Sequence, residues 1–245
     1  MNLTRIVRGF FIVALWALPA RNSFSVEYTY YDSFPLFINE PAGIGYDTLR
    51  KTLYIAEKDT RCIFEISRAG LPLGTIFVDV KKITDMAFNP QEDGGFFITQ
   101  GGKEGILEID RHGCLRRSLK LPDGLQRETV KAVTTNPERG DLFIVLKGEK
   151  DRVLQVAPDG SHNAPLSFKE IDNIDAIHYD PVHRHLLLLC SGKKRLYEAT
   201  PEGEVVGHFP IETAQAGGIT RGEDGLLYIL CEKSKRVYVY LPEKD

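Results

Sequence analysis

The 245-residue chain holds one tryptophan, two methionines and four cysteines, and it has no excess of either charge: 31 Lys and Arg against 34 Asp and Glu give 31 − 34 = −3. That balance argues against nucleic acid as a partner, because phosphate recognition needs a clustered positive field. No apolar run reaches the roughly 20 residues of a comfortable membrane span. Gly-x-Ser-x-Gly, a phosphate-binding Walker loop, Cys-x-x-Cys and Gly-x-Gly-x-x-Gly are all missing, so nucleophile-elbow, nucleotide and thioredoxin-like chemistries have no starting motif. What is present is an ordinary globular composition, 42% hydrophobic and 27% charged, with 22 Gly and 13 Pro scattered along the whole length. Evenly scattered Gly and Pro predict many turns between short strands.

The N-terminus reads as a targeting segment. Arg5 and Arg8 precede the apolar stretch Phe10 to Leu18, which Pro19 and Ala20 follow. A basic start, a short apolar stretch and a helix-ending proline make a secretory signal peptide. Small Ser23 and Ser25 suit cleavage after residue 25, and an uncleaved membrane anchor is the alternative. The expected organisation is therefore residues 1–25 for export or anchoring and residues 26–245 as one domain, placed in the periplasm or at the periplasmic face of the cell membrane. Trp16 lies inside the segment, so the rest of the chain has no indole to stack on a flat quinone cofactor.

Beyond residue 25 one pattern returns five times. The opening strands contain Gly43-Ile44, Asp85-Met86, Ala132-Val133, Ala176-Ile177 and Gly218-Ile219, spaced 42, 47, 44 and 42 residues apart (43→85→132→176→218). Turns with Asp47, Asn89-Pro90, Asn136-Pro137, Asp180-Pro181 and Asp224-Gly225 follow, then aliphatic second strands such as Leu53-Tyr54-Ile55 and Leu227-Tyr228-Ile229. Third strands such as Ile63 to Ile66 alternate and are expected to be half-exposed. Fourth strands are expected at 74–77, 115–119, 164–166 and 205–209. Four strands per unit of this length is the arithmetic of a β-propeller blade.

The fifth unit stops at Tyr240-Leu241 with three strands. Residues 26–37 are expected to supply its fourth and close the ring, so that no long edge stays unpaired. The reading is all-β: a five-bladed propeller of four-stranded antiparallel blades, with a six-bladed count as the alternative.

Two phrases, Gln215-Ala216-Gly217-Gly218-Ile219 with Asp224-Gly225-Leu226-Leu227-Tyr228-Ile229, and Ala42-Gly43-Ile44-Gly45-Tyr46-Asp47 with Leu53-Tyr54-Ile55-Ala56-Glu57, resemble the SdiA-regulated, or YjiK-like, family of exported bacterial β-propellers. The resemblance implies a propeller exported across, or tethered to, the bacterial inner membrane. That family often carries Glu just before the Gly-Ile pair. Here the slot holds Ala42, Thr84, Lys131, Asp175 and Gly217, so no glutamate ligand carries over.

In a propeller the first strand of each blade lines the central channel, and the residues at its start converge on one mouth. This selects Glu40, Thr84, Lys131, Asp172, Asp175 and Gln215 as candidate ligand-binding residues, with Ala42 and Gly217 in equivalent slots. Lys131 and Asp175 occupy matching slots in adjacent blades and are expected to pair across the rim. No cofactor is predicted. Calcium enters only with the alternative function, a calcium-dependent lactonase or esterase, which needs several carboxyl or amide oxygens from different blades. The five slots offer one carboxylate, Asp175, with Glu40, Asp172 and Asn173 nearby. The favoured reading is a module that binds a protein or a small molecule rather than an enzyme.

His183-Arg184-His185 is read as a pair of solvent-exposed turn histidines, since no third ligand sits at a suitable spacing. Cys190 and Cys231 fall in matching positions of neighbouring blades, which diverge outward, and are read as buried free thiols.

Overall fold

The computed structural model describes residues 26–91, 94–101 and 105–243. The targeting reading of residues 1–25 lies outside them. Among the described residues five four-stranded antiparallel sheets form the five blades. Blade 1 holds β2 (Pro41–Asp47), β3 (Thr52–Glu57), β4 (Cys62–Ile66) and β5 (Pro72–Phe77). Blade 2 holds β6 (Ile83–Asn89), β7 (Gly95–Gln100), β8 (Ile106–Asp110) and β9 (Leu115–Leu119). Blade 3 holds β10 (Val130–Thr135), β11 (Leu142–Leu146), β12 (Arg152–Val156) and β13 (Leu166–Ser167). Blade 4 holds β14 (Ala176–Asp180), β15 (His185–Cys190), β16 (Arg195–Ala199) and β17 (Val205–Pro210). Blade 5 joins β18 (Ala216–Arg221), β19 (Leu227–Cys231) and β20 (Arg236–Pro242) to β1 (Tyr28–Pro35) from the other end of the chain. The β1–β20 ladder runs from Tyr28↔Pro242 to Pro35↔Arg236 and closes the ring as expected.

The inner strands β2, β6, β10, β14 and β18 stand side by side around the axis, with β18 next to β2. They share one direction, so the channel has an upper mouth where they begin and a lower mouth where they end. Five hydrophobic clusters fill the gaps between neighbouring blades, for example Tyr54, Met86, Phe88 and Phe96 between blades 1 and 2. In three of those gaps the last aromatic of an inner strand stacks on a second-strand aromatic of the blade before: Tyr46 on Tyr228 at 10°, Phe88 on Tyr54 at 7° and Tyr179 on Phe143 at 10°. The other two gaps place Thr135 and Arg221 in that slot.

Two strand readings need correction. The fourth strand of blade 3, expected at 164–166, is reduced to Leu166–Ser167, because Pro165 has no N–H to donate to a ladder. The third strands are more buried than their alternation predicts, with Arg195–Ala199 reading exposed only at its first residue. Both of their faces lie against other blades, and solvent exposure passes to the fourth strands such as β5 and β9.

Candidate functional site

The turns below the inner strands are fixed by their own side chains. Asp47, Asn89, Asn136, Asp180 and Asp224 each accept the N–H two residues on through Oδ1, at 2.9 to 3.1 Å. This is why Asp or Asn recurs there, and it assigns those carboxylates to the turns rather than to a ligand.

At the upper mouth the inner strands begin irregularly. The ladders between first and second strands skip at Pro41/Ile44, Ile83/Asp85, Val130/Ala132 and Ala216/Gly218. Such bulges leave Thr84, Lys131 and Gly217 unpaired and re-aim those positions toward the mouth. Blade 4 has no skip, and Asp175 donates its N–H to Leu189 O at 2.7 Å just ahead of β14.

The upper-mouth side chains mostly satisfy one another. Lys131 Nζ lies 3.0 Å from Asp151 Oδ2 and 3.6 Å from Asp175 Oδ1, so the expected rim pair forms, with Asp151 as the nearer partner. Asp175 Oδ2 also accepts from the Ser191 N–H and hydroxyl at 2.8 and 2.7 Å. Thr84 is bound to the Thr99 hydroxyl at 2.8 Å. Asp172 sits further out with Lys193 at 3.0 Å, and that hydrogen bond holds its carboxyl below the usual range. Glu40 and Gln215 share an open recess with Lys58 and Glu232. Of the six predicted residues, Lys131 and Asp175 meet, Glu40 and Gln215 share the recess, and Thr84 and Asp172 are each held by a partner outside the six.

Besides Asp151, two upper-mouth carboxyls, Glu232 and Asp85, were missed from sequence. A Cβ on Gly217 would fall 1.9 Å from Glu232 Oε1, so the Glu232 head occupies the space that a side chain in that slot would fill. Burial raises the Glu232 carboxyl, against the pull of the Lys58 charge. Deeper in, Asp85 is buried and accepts the Val133 N–H of the next blade at 2.9 Å. Burial pushes it up to about 8, which favours the protonated form. Gly43, at φ +84°, makes room for it: a Cβ there would lie 2.9 Å from Asp85 Oδ1 and 2.3 Å from Met86 N.

Below Asp85 the channel opens into a cavity of about 240 Å³. All five inner strands contribute: Ile44, Met86, Val133, Ile177 and Ile219 form an aliphatic wall, Tyr46, Phe88 and Tyr179 a lower ring, and Pro90, Pro137 and Pro181 the rim. Four of the five slots between the wall and the ring are small, Gly45, Ala87, Thr134 and Thr220, and the fifth is His178. Burial pushes His178 down to about 4, which keeps its imidazole neutral. Its charged neighbours are Asp180 and Arg221, which pair with each other at 2.5 Å, Arg221 being 10% and Asp180 2% exposed. Burial alone would raise Asp180, yet the His183 hydrogen bond and the Arg221 charge hold it low. Three cavity atoms, Tyr46 Oη, Thr135 Oγ1 and Arg221 Nε, are buried with no hydrogen-bond partner among the described residues.

His183 and His185 are not free turn histidines, which corrects the sequence reading. Each reaches a buried carboxylate, His183 at 2.7 Å from Asp180 and His185 at 2.6 Å from Glu198. All four cysteines are free, with Cys190 and Cys231 buried. Burial pushes the Cys190 thiol up to about 12, far from a reactive thiolate. Among the described residues no three His, Cys, Asp or Glu side chains gather to hold a metal. At the upper mouth Asp175, the slot carboxylate a calcium site would need, is paired with Lys131 and Ser191.

No protein-family model and no curated protein sequence matches the chain. Its structure is similar to a chain of a nidogen/laminin complex, at 20% identity and TM-score 0.60, covering 82% of this chain and 76% of that one. It is also similar to XC5397 from Xanthomonas campestris, described as a gluconolactonase, at 11% identity and TM-score 0.56, covering 84% and 87%. A third likeness is to a catalytically inactive virginiamycin B lyase from Staphylococcus aureus with quinupristin, at 20% identity and TM-score 0.50, covering 84% and 68%. At these identities the likeness establishes the β-propeller fold.

Proposed function

We propose that this propeller is a binding module whose central cavity takes a small molecule through the lower mouth. The observation that carries the reading is the cavity itself, walled by all five inner strands and open at the turns below them. Concave, mostly apolar sites with a few polar groups are where proteins hold small ligands, and about 240 Å³ falls just under the ~300–1,000 Å³ of drug-sized sites. The ligand is accordingly about the size of a single ring.

Export belongs to the same proposal. Its support is in the sequence, where Arg5 and Arg8 precede the apolar stretch 10–18 and where the two blade phrases resemble the SdiA-regulated family. On this reading the module works in the periplasm or at the periplasmic face of the membrane. The alternative, a calcium-dependent lactonase, has in its favour the fold it shares with a gluconolactonase. Fold alone does not choose between the two. A calcium-dependent rise in melting temperature would favour the hydrolase, since an ion that binds the native state stabilises it.

Ala87→Leu tests the site by adding carbon atoms to the cavity wall. With benzyl alcohol as the probe and ligand-detected NMR as the readout, the variant is expected to lose binding that the parent shows. Lys131→Ala with Asp175→Ala, the change that would remove a ligand held at the upper mouth, is expected to retain it. The reverse pattern would move the site to the upper mouth.

A further inference from the structure

The repeat makes the channel's departures from its own pattern visible. In the slot that holds Gly45, Ala87, Thr134 and Thr220, blade 4 places His178. In the slot that holds three stacked aromatics, blades 3 and 5 place Thr135 and Arg221. All three departures line the cavity, and all three replace an apolar or small side chain with a polar one. Natural repeats break local consistency mainly where function requires it.

The chemistry left over by these departures is specific. Arg221 is neutralised by Asp180, and Glu223 at the rim by Lys51 at 2.8 Å. The cavity therefore offers no uncompensated charge. The ring of His178 takes part in no hydrogen bond found among the described residues, and Thr135 Oγ1, Tyr46 Oη and Arg221 Nε, the last a donor of the ion-paired guanidinium, are without a partner in the wall. Buried polar groups without partners are uncommon and point to a missing one. A neutral imidazole presents one donor and one acceptor, which suits a hydroxyl or carbonyl and gives an ionised carboxylate no countercharge.

We propose that the cavity selects a small uncharged ligand with an apolar ring or chain and a single hydroxyl or carbonyl head, and that His178 is the residue that reads the head. The apolar part packs against Ile44, Met86 and Phe88, and the head turns toward blade 4. This inference rests on the cavity being the binding site.

Three probes of one size separate the possibilities: benzyl alcohol, its isostere ethylbenzene, and benzoate. Loss of one neutral hydrogen bond corresponds to roughly a tenfold change in affinity, so benzyl alcohol is expected to bind roughly tenfold tighter than ethylbenzene or benzoate. His178→Phe is expected to make benzyl alcohol and ethylbenzene equal, and His178→Gln, which keeps a donor and an acceptor, to restore part of the preference. Equal binding of the two uncharged probes to the parent protein, with Ala87→Leu still blocking both, would overturn the role of His178 and leave the cavity as the site. Tightest binding of benzoate would overturn the uncharged class. Failure of all three probes to bind would overturn the cavity reading itself. Should His178→Phe melt early, the order of affinities in the parent protein decides alone.

Discussion

At the upper mouth Lys131 stands between Asp151 and Asp175, and Glu232 folds over Gly217. At the lower mouth the same five strands end in an apolar well with one neutral histidine and one internally cancelled ion pair. The difference follows from the backbone. Bulges at the starts of four of the five inner strands take positions such as Thr84 and Lys131 out of the ladder, and the polar side chains at this mouth bond to one another. Regular pairing below the bulges sends side chains into the gaps between blades, and the axis stays open. Charge at a channel mouth is thus a poor guide to where a ligand fits, because mutual pairing cancels the charge.

The largest expected effect that separates the mouths is on stability. Arg221→Ala leaves Asp180, 2% exposed, with the Val182 N–H and His183 at 2.9 and 2.7 Å but without its arginine, and breaking a buried pair costs up to about 3–5 kcal/mol. Lys131→Ala leaves Asp151 with the Gly148 and Ile174 N–H groups at 3.2 and 2.9 Å, and Lys131 is 25% exposed against 10% for Arg221, so its pair is better screened and a smaller loss is expected. Chemical denaturation of the two variants measures the contrast, and equal losses would erase it.

A second effect depends on pH. The Asp85 carboxyl is raised from 3.8 to about 8 in the folded protein, so the native state holds a proton that the unfolded chain has released. Stability contributed there is therefore lost as pH rises from about 4 to about 8, by at most about 1.4 kcal/mol per pH unit. Asp85→Asn keeps an acceptor for Val133 N–H and has no charge to gain. Its stability relative to the parent is expected to grow with pH across that window, and an unchanged slope would show that Asp85 is ionised in the fold.

The blades were legible because each repeats a complete local signal, an apolar strand, an Asp or Asn turn and a second aliphatic strand. Closure by β1 was legible because Val26 to Phe37 mirrors Val205 to Ile211. The 164–166 strand was misplaced because Pro165 overrides a weak pattern. The upper-mouth slot was legible as a position, and its Lys131–Asp175 pair forms, but the partners Asp151, Ser191 and Glu232 come from the turns between second and third strands, whose repeat does not by itself show that they face the first. The cavity was not legible at all. Ile44, Met86, Val133, Ile177 and Ile219 read as core residues in any strand, and only the closed ring shows that their shared face meets empty space. His178 did carry a signal, as the one large side chain in a slot of small ones.

The central claim, that ligand binds at the lower mouth, is tested most directly by mapping backbone amide shifts of the isotope-labelled protein during titration with benzyl alcohol. The largest shifts are expected at residues 44–46, 86–88, 133–135, 177–179 and 219–221. Shifts confined to Glu40, Lys131, Asp175 and Gln215 would place the site at the other mouth and contradict the account.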